Sequence, residues 1–235
     1  MEHNLKLSSK DRKLLSNPET YRRLVGRLIY LTITHSDIKF SIHILSQYMH
    51  DQQEPHLGTA QRVLWYLKWS PSQGLVLSLI NSFQISTYYD SDWANCPTTQ
   101  RFTTGYITFQ GSSPLSWRTN KQSTISRSLA DAEYRSMATT ACELTWLKIL
   151  SSDLGILHPQ PMHLHITDNR VFHERTKHIE IDCHFNRETI QVGLIRTSHV
   201  STKLQLADIL TKALGEYQFH FLLNKLGVLN TNTSA

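Results

Sequence analysis

A change of hydrophobic periodicity at residues 71–74 constrains the fold of this chain more than any other sequence feature. Between residues 19 and 70 the apolar side chains recur every three or four positions, which is the spacing of amphipathic helices. After residue 74 they alternate with polar side chains in short segments bounded by Gly, Pro, Ser and Asn, which is typical of β-strands joined by turns. The sequence therefore predicts a helical unit followed by a unit built on a β-sheet.

The helical region is predicted to contain three helices that begin near Pro18, Ser36 and Pro55, because proline is common in a first helical turn and serine is a common cap. Residues 1–18 are mostly polar, and a disordered lead is the prediction for them. Arginines fall on the outer face of the first helix. Such arginines are either solvated or in contact with nucleic acid, and the sequence leaves both interpretations open.

The second region predicts an α/β unit with a mixed sheet. Period-two segments at residues 83–90, 102–110 and 115–118 have short polar connections, which favour an antiparallel meander. The other predicted elements are a short strand at 75–80, a helix capped by Ser128, a strand at 162–167, a helical segment at 171–192, a strand at 193–200, a helix opened by a capping box at 202–205, and a terminal helix at 216–228.

Four acidic residues occupy comparable places in this order of elements. Asp90 ends the first strand of the meander, Glu133 lies in the first turn of the central helix, Asp168 follows the fourth strand, and Asp208 lies early in a late helix. If the first and fourth strands are neighbours, these positions converge, and their carboxylates repel one another unless divalent cations lie between them. Two Mg²⁺ ions about 4 Å apart, with Mn²⁺ as a substitute, would suit the hydrolysis of a phosphodiester.

These residues also have simpler interpretations. The segment at 90–92 is typical of a solvated turn. Glu133 is placed to pair on the surface with Arg135 or Arg127. The thirteen histidines invite a zinc interpretation, but the cysteine pair of such a site is missing.

The composition favours an intracellular protein with an anionic partner. The formal net charge is +5, which is typical of a chain that contacts nucleic acid. The three cysteines fit neither a disulfide framework nor a zinc site, so a reducing compartment is expected. No apolar run approaches the roughly 18 residues of a membrane span, and the polar opening segment indicates no secretory signal, so no membrane partner is expected.

Several strings of the sequence resemble the C-terminal part of the polyprotein of copia-type LTR retrotransposons. They are YRRLVGRLIYLT at 21–32, DSDWA at 90–94, SRSLADAEYRSM at 126–137, VFHERTKHIEID at 171–182 and QLADILTKAL at 205–214. The resemblance extends over nearly the whole chain from about residue 19. It implies that residues 19–80 are the helical end of a reverse transcriptase, that residues 81–215 are a ribonuclease H-like domain with a five-stranded sheet, and that residues 216–235 are a terminal helix and tail.

The resemblance also implies an activity and a set of site residues. A ribonuclease H cuts the RNA strand of RNA–DNA hybrids, so an endonuclease with a hybrid partner is expected. The four acids Asp90, Glu133, Asp168 and Asp208 match the metal ligands and catalytic residues of the family, whereas Asp92 belongs to the motif without being one of the four. His199 lies where relatives can carry a loop histidine that aids proton transfer or product release, and a solvated histidine is the other interpretation. The residues expected to contact nucleic acid are Lys121, Arg127, Arg175, Lys177 and His178.

The chain departs from the family after the third acid. Most relatives carry about ten further residues, roughly 15 Å if helical, between Asn169 and the string that begins at Val171. An in-frame deletion of that helix is expected to weaken the activity. Smaller departures are Leu129, Ser201 and Leu204. The polymerase acids are absent from the sequence, so no polymerase activity is expected, and the alternative to a weakened nuclease is a non-catalytic retroelement relic that at most binds nucleic acid.

Overall fold

The computed structural model describes residues 7, 13–79, 82–92, 101–123, 125–126, 128–167 and 180–230. It divides into two compact units, one formed by residues 1–76 with 212–235 and the other by residues 77–211. The helices are α1 (Pro18–Leu31), α2 (Lys39–Ser46), α3 (Glu54–Trp69), α4 (Leu129–Asp153), α5 (Glu180–Gln191), α6 (Asp208–Thr211) and α7 (Glu216–Lys225). The strands are β1 (Gln73–Leu75), β2 (Ile85–Asp92), β3 (Thr103–Gln110), β4 (Ser113–Lys121), β5 (Met162–Ile166), β6 (Ile195–His199) and β7 (Val228–Asn230). Among the described residues, no helix has both the length and the apolar character needed to cross a bilayer.

The first unit contains the three predicted helices. Helix α1 begins at Pro18 after Asn17, whose side chain accepts a hydrogen bond from the Thr20 N–H at 3.3 Å and caps the helix. Helices α1, α2 and α3 bury their apolar stripes against one another, and within this core the Tyr21 hydroxyl donates a hydrogen bond to the carbonyl of Leu45 at 2.7 Å. The three helices bury together the stripes that none could bury alone.

The disordered lead predicted for residues 1–18 is wrong for the described part of that segment. Leu7 is buried in the helical core, and its carbonyl accepts a hydrogen bond from the Tyr48 hydroxyl at 2.9 Å. The Leu15 N–H donates to the carbonyl of Gln52 at 3.1 Å. The polar composition concealed this order because the anchoring residues are single leucines that contact elements distant in sequence.

A two-stranded sheet in the first unit corrects two further predictions. Strand β1 pairs antiparallel with β7, so the strand predicted at 75–80 lies earlier in the chain. The helix predicted at 216–228 ends at Lys225, and the chain turns at Gly227, whose φ of 73° is readily adopted only by glycine. The terminal helix therefore belongs to the first unit, whereas the sequence interpretation set it apart.

The second unit is built on a mixed sheet of five strands in the order β4-β3-β2-β5-β6. Strands β2, β3 and β4 form the predicted antiparallel meander, and β5 and β6 run parallel to β2. The first and fourth strands of this unit are therefore neighbours, as the convergence of the acids requires. This topology confirms the predicted fold class, an α/β, ribonuclease H-like mixed five-stranded sheet with flanking helices.

The core of the second unit lies between one face of the sheet and helices α4 and α5. Side chains along β2 alternate between buried and half-buried, and Ile85 and Tyr89 lie on the buried side. Met137 and Leu144 of α4 pack in the same cluster, with partly buried Phe185 of α5 against it. The period-two pattern of β2 and the period-3.6 pattern of α4 are therefore the two halves of one apolar interface.

Strand β2 runs through both acids of the segment at 90–92 and ends only at Asp92. The interpretation of that segment as a solvated turn is therefore wrong, and Asp90 lies inside the strand. Phe83, the first residue of the period-two segment at 83–90, precedes the strand and is 57% exposed. Alternation identified the strand, but its bounds depend on pairing with β3, which continues to Asp92.

The capping box predicted at 202–205 does not open a helix. Residues Thr202–Leu204 form a single 3₁₀ turn without a side-chain cap, and α6 begins at Asp208. The side chain of Gln205 is buried and donates from Nε2 to the carbonyl of Tyr89 at 3.0 Å. The Gln205 side chain therefore forms a tertiary hydrogen bond to β2 and not the local hydrogen bond of a capping box.

Candidate active site

Asp90 lies on the central strand of the sheet, two residues before the strand ends. Its register partner on β3 is Gly105. The parallel pairing with β5 includes Tyr88 opposite His165 and stops there. The Ser136 hydroxyl of α4 donates to the backbone carbonyl of Asp90 at 3.2 Å. The backbone of this acid is therefore held both by a neighbouring strand and by a helix.

Glu133 faces the same place from helix α4. It lies three residues before Ser136, and residues three apart share one face of a helix. Together with Asp90 it lines a small pocket whose other walls are Tyr89, Ser91, Ile166 and Thr167. Two acidic residues from different elements thus line one pocket, just beyond the point where β2 and β5 stop pairing.

Asp208 approaches this site from a different side. It is the buried first residue of α6, and it is not among the described residues that line the pocket. Three residues later, Thr211 donates from Oγ1 to Oδ2 of Asp90 at 2.5 Å. Helix α6 packs on β3 and on β2, the strand that carries Asp90.

Gly105 makes the approach of α6 possible. A Cβ atom at this position would lie 2.9 Å from Cβ of Leu210 and 2.9 Å from Cγ2 of Thr211, whereas non-bonded carbons pack at about 3.5–4.0 Å. The Thr119 hydroxyl of β4 donates to the carbonyl of Leu210 at 3.0 Å and fixes the helix further. Glycine at 105 therefore provides the space through which Thr211 reaches Asp90.

The charges of the pocket act on its buried tyrosine. Burial raises the pKa of Tyr89 far above its ordinary value, and the carboxylates of Glu133 and Asp90 raise it further. Tyr89 is therefore a neutral phenol beside two acids. Arg135, one of the two surface partners predicted for Glu133, pairs with Asp131 through Nε and Oδ1 at 2.7 Å.

The donor set of the pocket suits a hard divalent cation. Mg²⁺ is commonly held by one or two carboxylates together with substrate phosphates and waters, and Asp90 and Glu133 supply two carboxylates. Among the residues that the structure describes, no three His, Cys, Asp or Glu side chains form a group able to hold a metal ion. The predicted grouping of Asp90, Glu133 and Asp208 is thus not found there, and Asp168 lies outside the described residues.

Two other predicted site residues have described positions. His199 is the exposed last residue of β6, directly opposite Ile166 of the pocket wall. Lys121 is the half-buried last residue of β4, opposite Thr103. The other residues predicted to contact nucleic acid lie outside the described residues; they are Arg127, Arg175, Lys177 and His178. The position of the predicted deletion, after Asn169, lies outside them as well.

Three polar residues that hold the site were missed by the sequence interpretation. Thr211 contacts the Asp90 carboxylate, Ser136 contacts the Asp90 backbone, and Gln205 contacts the adjacent Tyr89 backbone. A signal for two of them is present in the sequence. Thr211 follows Asp208 by three residues and Ser136 follows Glu133 by three, so each shares a helix face with a predicted acid.

The chain is similar in sequence to transposon proteins. No protein-family model matches the chain. It is 41% identical over 95% of its length to the retrovirus-related Pol polyprotein from transposon RE1 of Arabidopsis thaliana, and 40% identical over 94% to that from transposon RE2 of the same plant. The chain spans 16% of the length of each of these two relatives. Among solved structures, the N-terminal RNase H domain of a Mycobacterium tuberculosis protein, determined as a fusion with maltose-binding protein, matches with a TM-score of 0.41 and 11% identity over 61% of this chain and 98% of that one.

The five-stranded unit is a retrotransposon ribonuclease H-like domain, carried in one chain with a helical unit. Homologues of the chain are retrovirus-related Pol polyproteins from copia-type transposons, at about 40% identity over nearly its whole length. The family resemblance of the sequence strings is thereby confirmed.

Proposed function

We propose that the second unit is a ribonuclease H that hydrolyses the RNA strand of RNA–DNA hybrids with the help of divalent metal ions. The observation that carries this proposal is that Asp90 and Glu133 line one pocket, just beyond the point where β2 and β5 stop pairing. The 41% identity to a transposon Pol polyprotein supports the same class of function.

Asp90 and Glu133 are the proposed principal ligands of Mg²⁺, with Mn²⁺ as a substitute, and Asp168 is the proposed third acid of the set. Divalent ions bound between carboxylates activate a water molecule and stabilise the leaving oxygen of a phosphodiester. The chain contributes the placement of the carboxylates. Asp90 is fixed on the central strand, and Glu133 follows the first turn of α4, on the helix face that it shares with Ser136.

His199 is the proposed residue for proton transfer or product release. It lies at the end of β6, where the Val200 N–H donates to the carbonyl of Ile166 at 2.8 Å and so ties this end of the strand to the pocket wall. Its imidazole is exposed to solvent, and histidine is a common residue for proton transfer.

The proposed partner is the RNA–DNA hybrid, held by Lys121 together with Arg127, Arg175, Lys177 and His178. The net charge of +5 supports a polyanionic partner. Selection of the RNA strand is expected to depend on its 2′-hydroxyls, which line the wide minor groove of an A-form-like duplex.

The activity is expected to be weak, because the chain lacks the helical residues that most relatives carry after Asn169. A misplacement of about 1 Å at a catalytic group can cost about 100-fold in rate. Insertion of about ten helical residues after Asn169, spanning roughly 15 Å, should therefore raise the rate of cleavage.

Cleavage of a hybrid labelled on each strand tests the proposal. In Mg²⁺ or Mn²⁺ the full chain should cut the RNA strand alone, and Asp90→Asn and Glu133→Gln should abolish cleavage while hybrid binding persists. The amide of Asp90→Asn is nearly isosteric but lacks the anionic oxygen that holds the metal. Asp92→Asn, which changes an acid on the same strand outside the proposed ligand set, is the matched control.

Two results would contradict this function. Cleavage that survives in Asp90→Asn and Glu133→Gln would show that the pocket is not the active site. Hybrid binding without any cleavage, even in Mn²⁺ and with the helix restored, would favour the alternative of a non-catalytic relic.

A further inference from the structure

We propose that Thr211 is a positioning residue that fixes the carboxylate of Asp90 for metal binding. This inference rests on the proposed function, because it assigns the metal to the pocket that contains Asp90. The observation behind it is the hydrogen bond from Thr211 Oγ1 to Asp90 Oδ2 at 2.5 Å, between groups 121 positions apart in the chain.

The proton of the Thr211 hydroxyl is directed to Asp90. A threonine hydroxyl has one proton, and three oxygens surround it: Asp90 Oδ2 at 2.5 Å, the Ala207 carbonyl at 3.3 Å and the Asp208 carbonyl at 3.5 Å. Hydrogen bonds from a hydroxyl to a carboxylate are about 2.5–2.7 Å long and stronger than neutral ones. The shortest of the three contacts is therefore the one that carries the proton.

The backbone around Asp90 is already fixed by other side chains. Ser136 donates to the carbonyl of Asp90, and Gln205 donates to the carbonyl of Tyr89. The remaining freedom of the acid is rotation of its own side chain, and the bond from Thr211 restricts that rotation. A carboxylate has about four acceptor sites on two oxygens, so one hydroxyl orients it while occupying a single site.

Thr211 is itself held in place from two directions. It is fully buried on α6, and the neighbouring Leu210 carbonyl accepts a hydrogen bond from Thr119 of β4. Gly105 removes the side chain that would otherwise separate α6 from the sheet. The hydroxyl is thus part of a packed wall, which is what a positioning residue requires.

Titration of the full chain with Mn²⁺ alone, followed by calorimetry, tests the role without requiring cleavage. Removal of a residue that orients a metal ligand typically lowers metal affinity by about 10–100-fold. Thr211→Val, which keeps the shape but removes the hydroxyl, should show a loss of this size. Thr211→Ser, which keeps the hydroxyl, should restore most of the affinity.

Thr189→Val is the matched control. Thr189 is another buried threonine whose hydroxyl donates within a helix, to the carbonyl of Asn186 at 2.8 Å, and it does not line the pocket. It should leave Mn²⁺ affinity unchanged, and thermal unfolding of each variant shows whether the fold is retained.

Unchanged Mn²⁺ affinity in folded Thr211→Val, or equal losses in Thr211→Val and Thr211→Ser, would overturn the positioning role while leaving the proposed function intact. Absence of Mn²⁺ binding by the parent chain is a different result. It would overturn the proposed function and, with it, the role of Thr211.

Discussion

Gly105→Ala adds a single methyl group at a position where the structure leaves no room for it. The added Cβ would lie 2.9 Å from both Leu210 Cβ and Thr211 Cγ2, and 3.3 Å from the carbonyl oxygen of Arg118. Relief to an ordinary carbon contact of about 3.5–4.0 Å requires α6 to move by roughly 0.6–1.1 Å. The same movement would withdraw Thr211 from Asp90.

The expected cost in stability is about 1–2 kcal/mol. Overpacking of a filled site typically costs about 1–3 kcal/mol, and replacing glycine by alanine returns about 0.4–1 kcal/mol through the smaller entropy of the unfolded chain. A loss of one or two kcal/mol raises the open population about 5–30-fold. Hydrogen exchange followed by mass spectrometry should therefore show faster exchange of that order in peptides from β3 and α6.

Gly26→Ala is the control for this experiment. A Cβ on Gly26 meets nothing within 4 Å in helix α1, so this substitution should stabilise the first unit by about 0.5–1 kcal/mol. If Gly26→Ala slows exchange as expected and Gly105→Ala leaves β3 and α6 unchanged, α6 does not pack on Gly105 and the route from Thr211 to Asp90 is refuted.

Three further predictions concern helix α4, a histidine stack and the nucleic-acid partner. Ser128→Ala removes the hydroxyl that accepts a hydrogen bond from the Asp131 N–H and should destabilise α4 by about 1 kcal/mol. Hydrogen exchange in the first turn of α4 should then be faster, and exchange at the parent rate would show that the cap contributes nothing. Burial and the neighbouring His163 lower the pKa of His165 below 6.5 in the folded chain. The unfolded chain therefore binds a proton at His165 more readily, and the free energy of unfolding should fall as the pH drops from 6.5 to the pKa of the folded state. His165→Phe, which keeps a ring against Tyr88 at the present 4.3 Å between centroids, should flatten that dependence in urea unfolding, and an unchanged slope would assign it to another group. Hybrid affinity should fall steeply with salt, with a logarithmic slope close to the number of phosphates neutralised, and a flat salt titration would exclude a phosphate-contacting interface.

Local sequence pattern determined most of the elements and the topology class of this protein. The alternation along β2 and the 3.6-residue period of α4 follow from which side chains must leave water, so each is visible without a structure. The short connections of the meander and the helix between β4 and β5 then leave few ways to arrange the sheet. Asp90 and Glu133 were identified because they sit at defined places in those patterns.

Only the tertiary structure decided the contacts that cross long stretches of chain. The bond from Thr211 to Asp90 and the close approach of α6 at Gly105 depend on the register of β3 against β2, which no local pattern encodes. The same is true of Gln205, whose local sequence favours a cap but whose side chain is bound to β2. Local propensities are worth tenths of a kcal/mol to about 1 kcal/mol, and a buried hydrogen bond in a packed interface is worth at least as much, so tertiary contacts override them where the two compete.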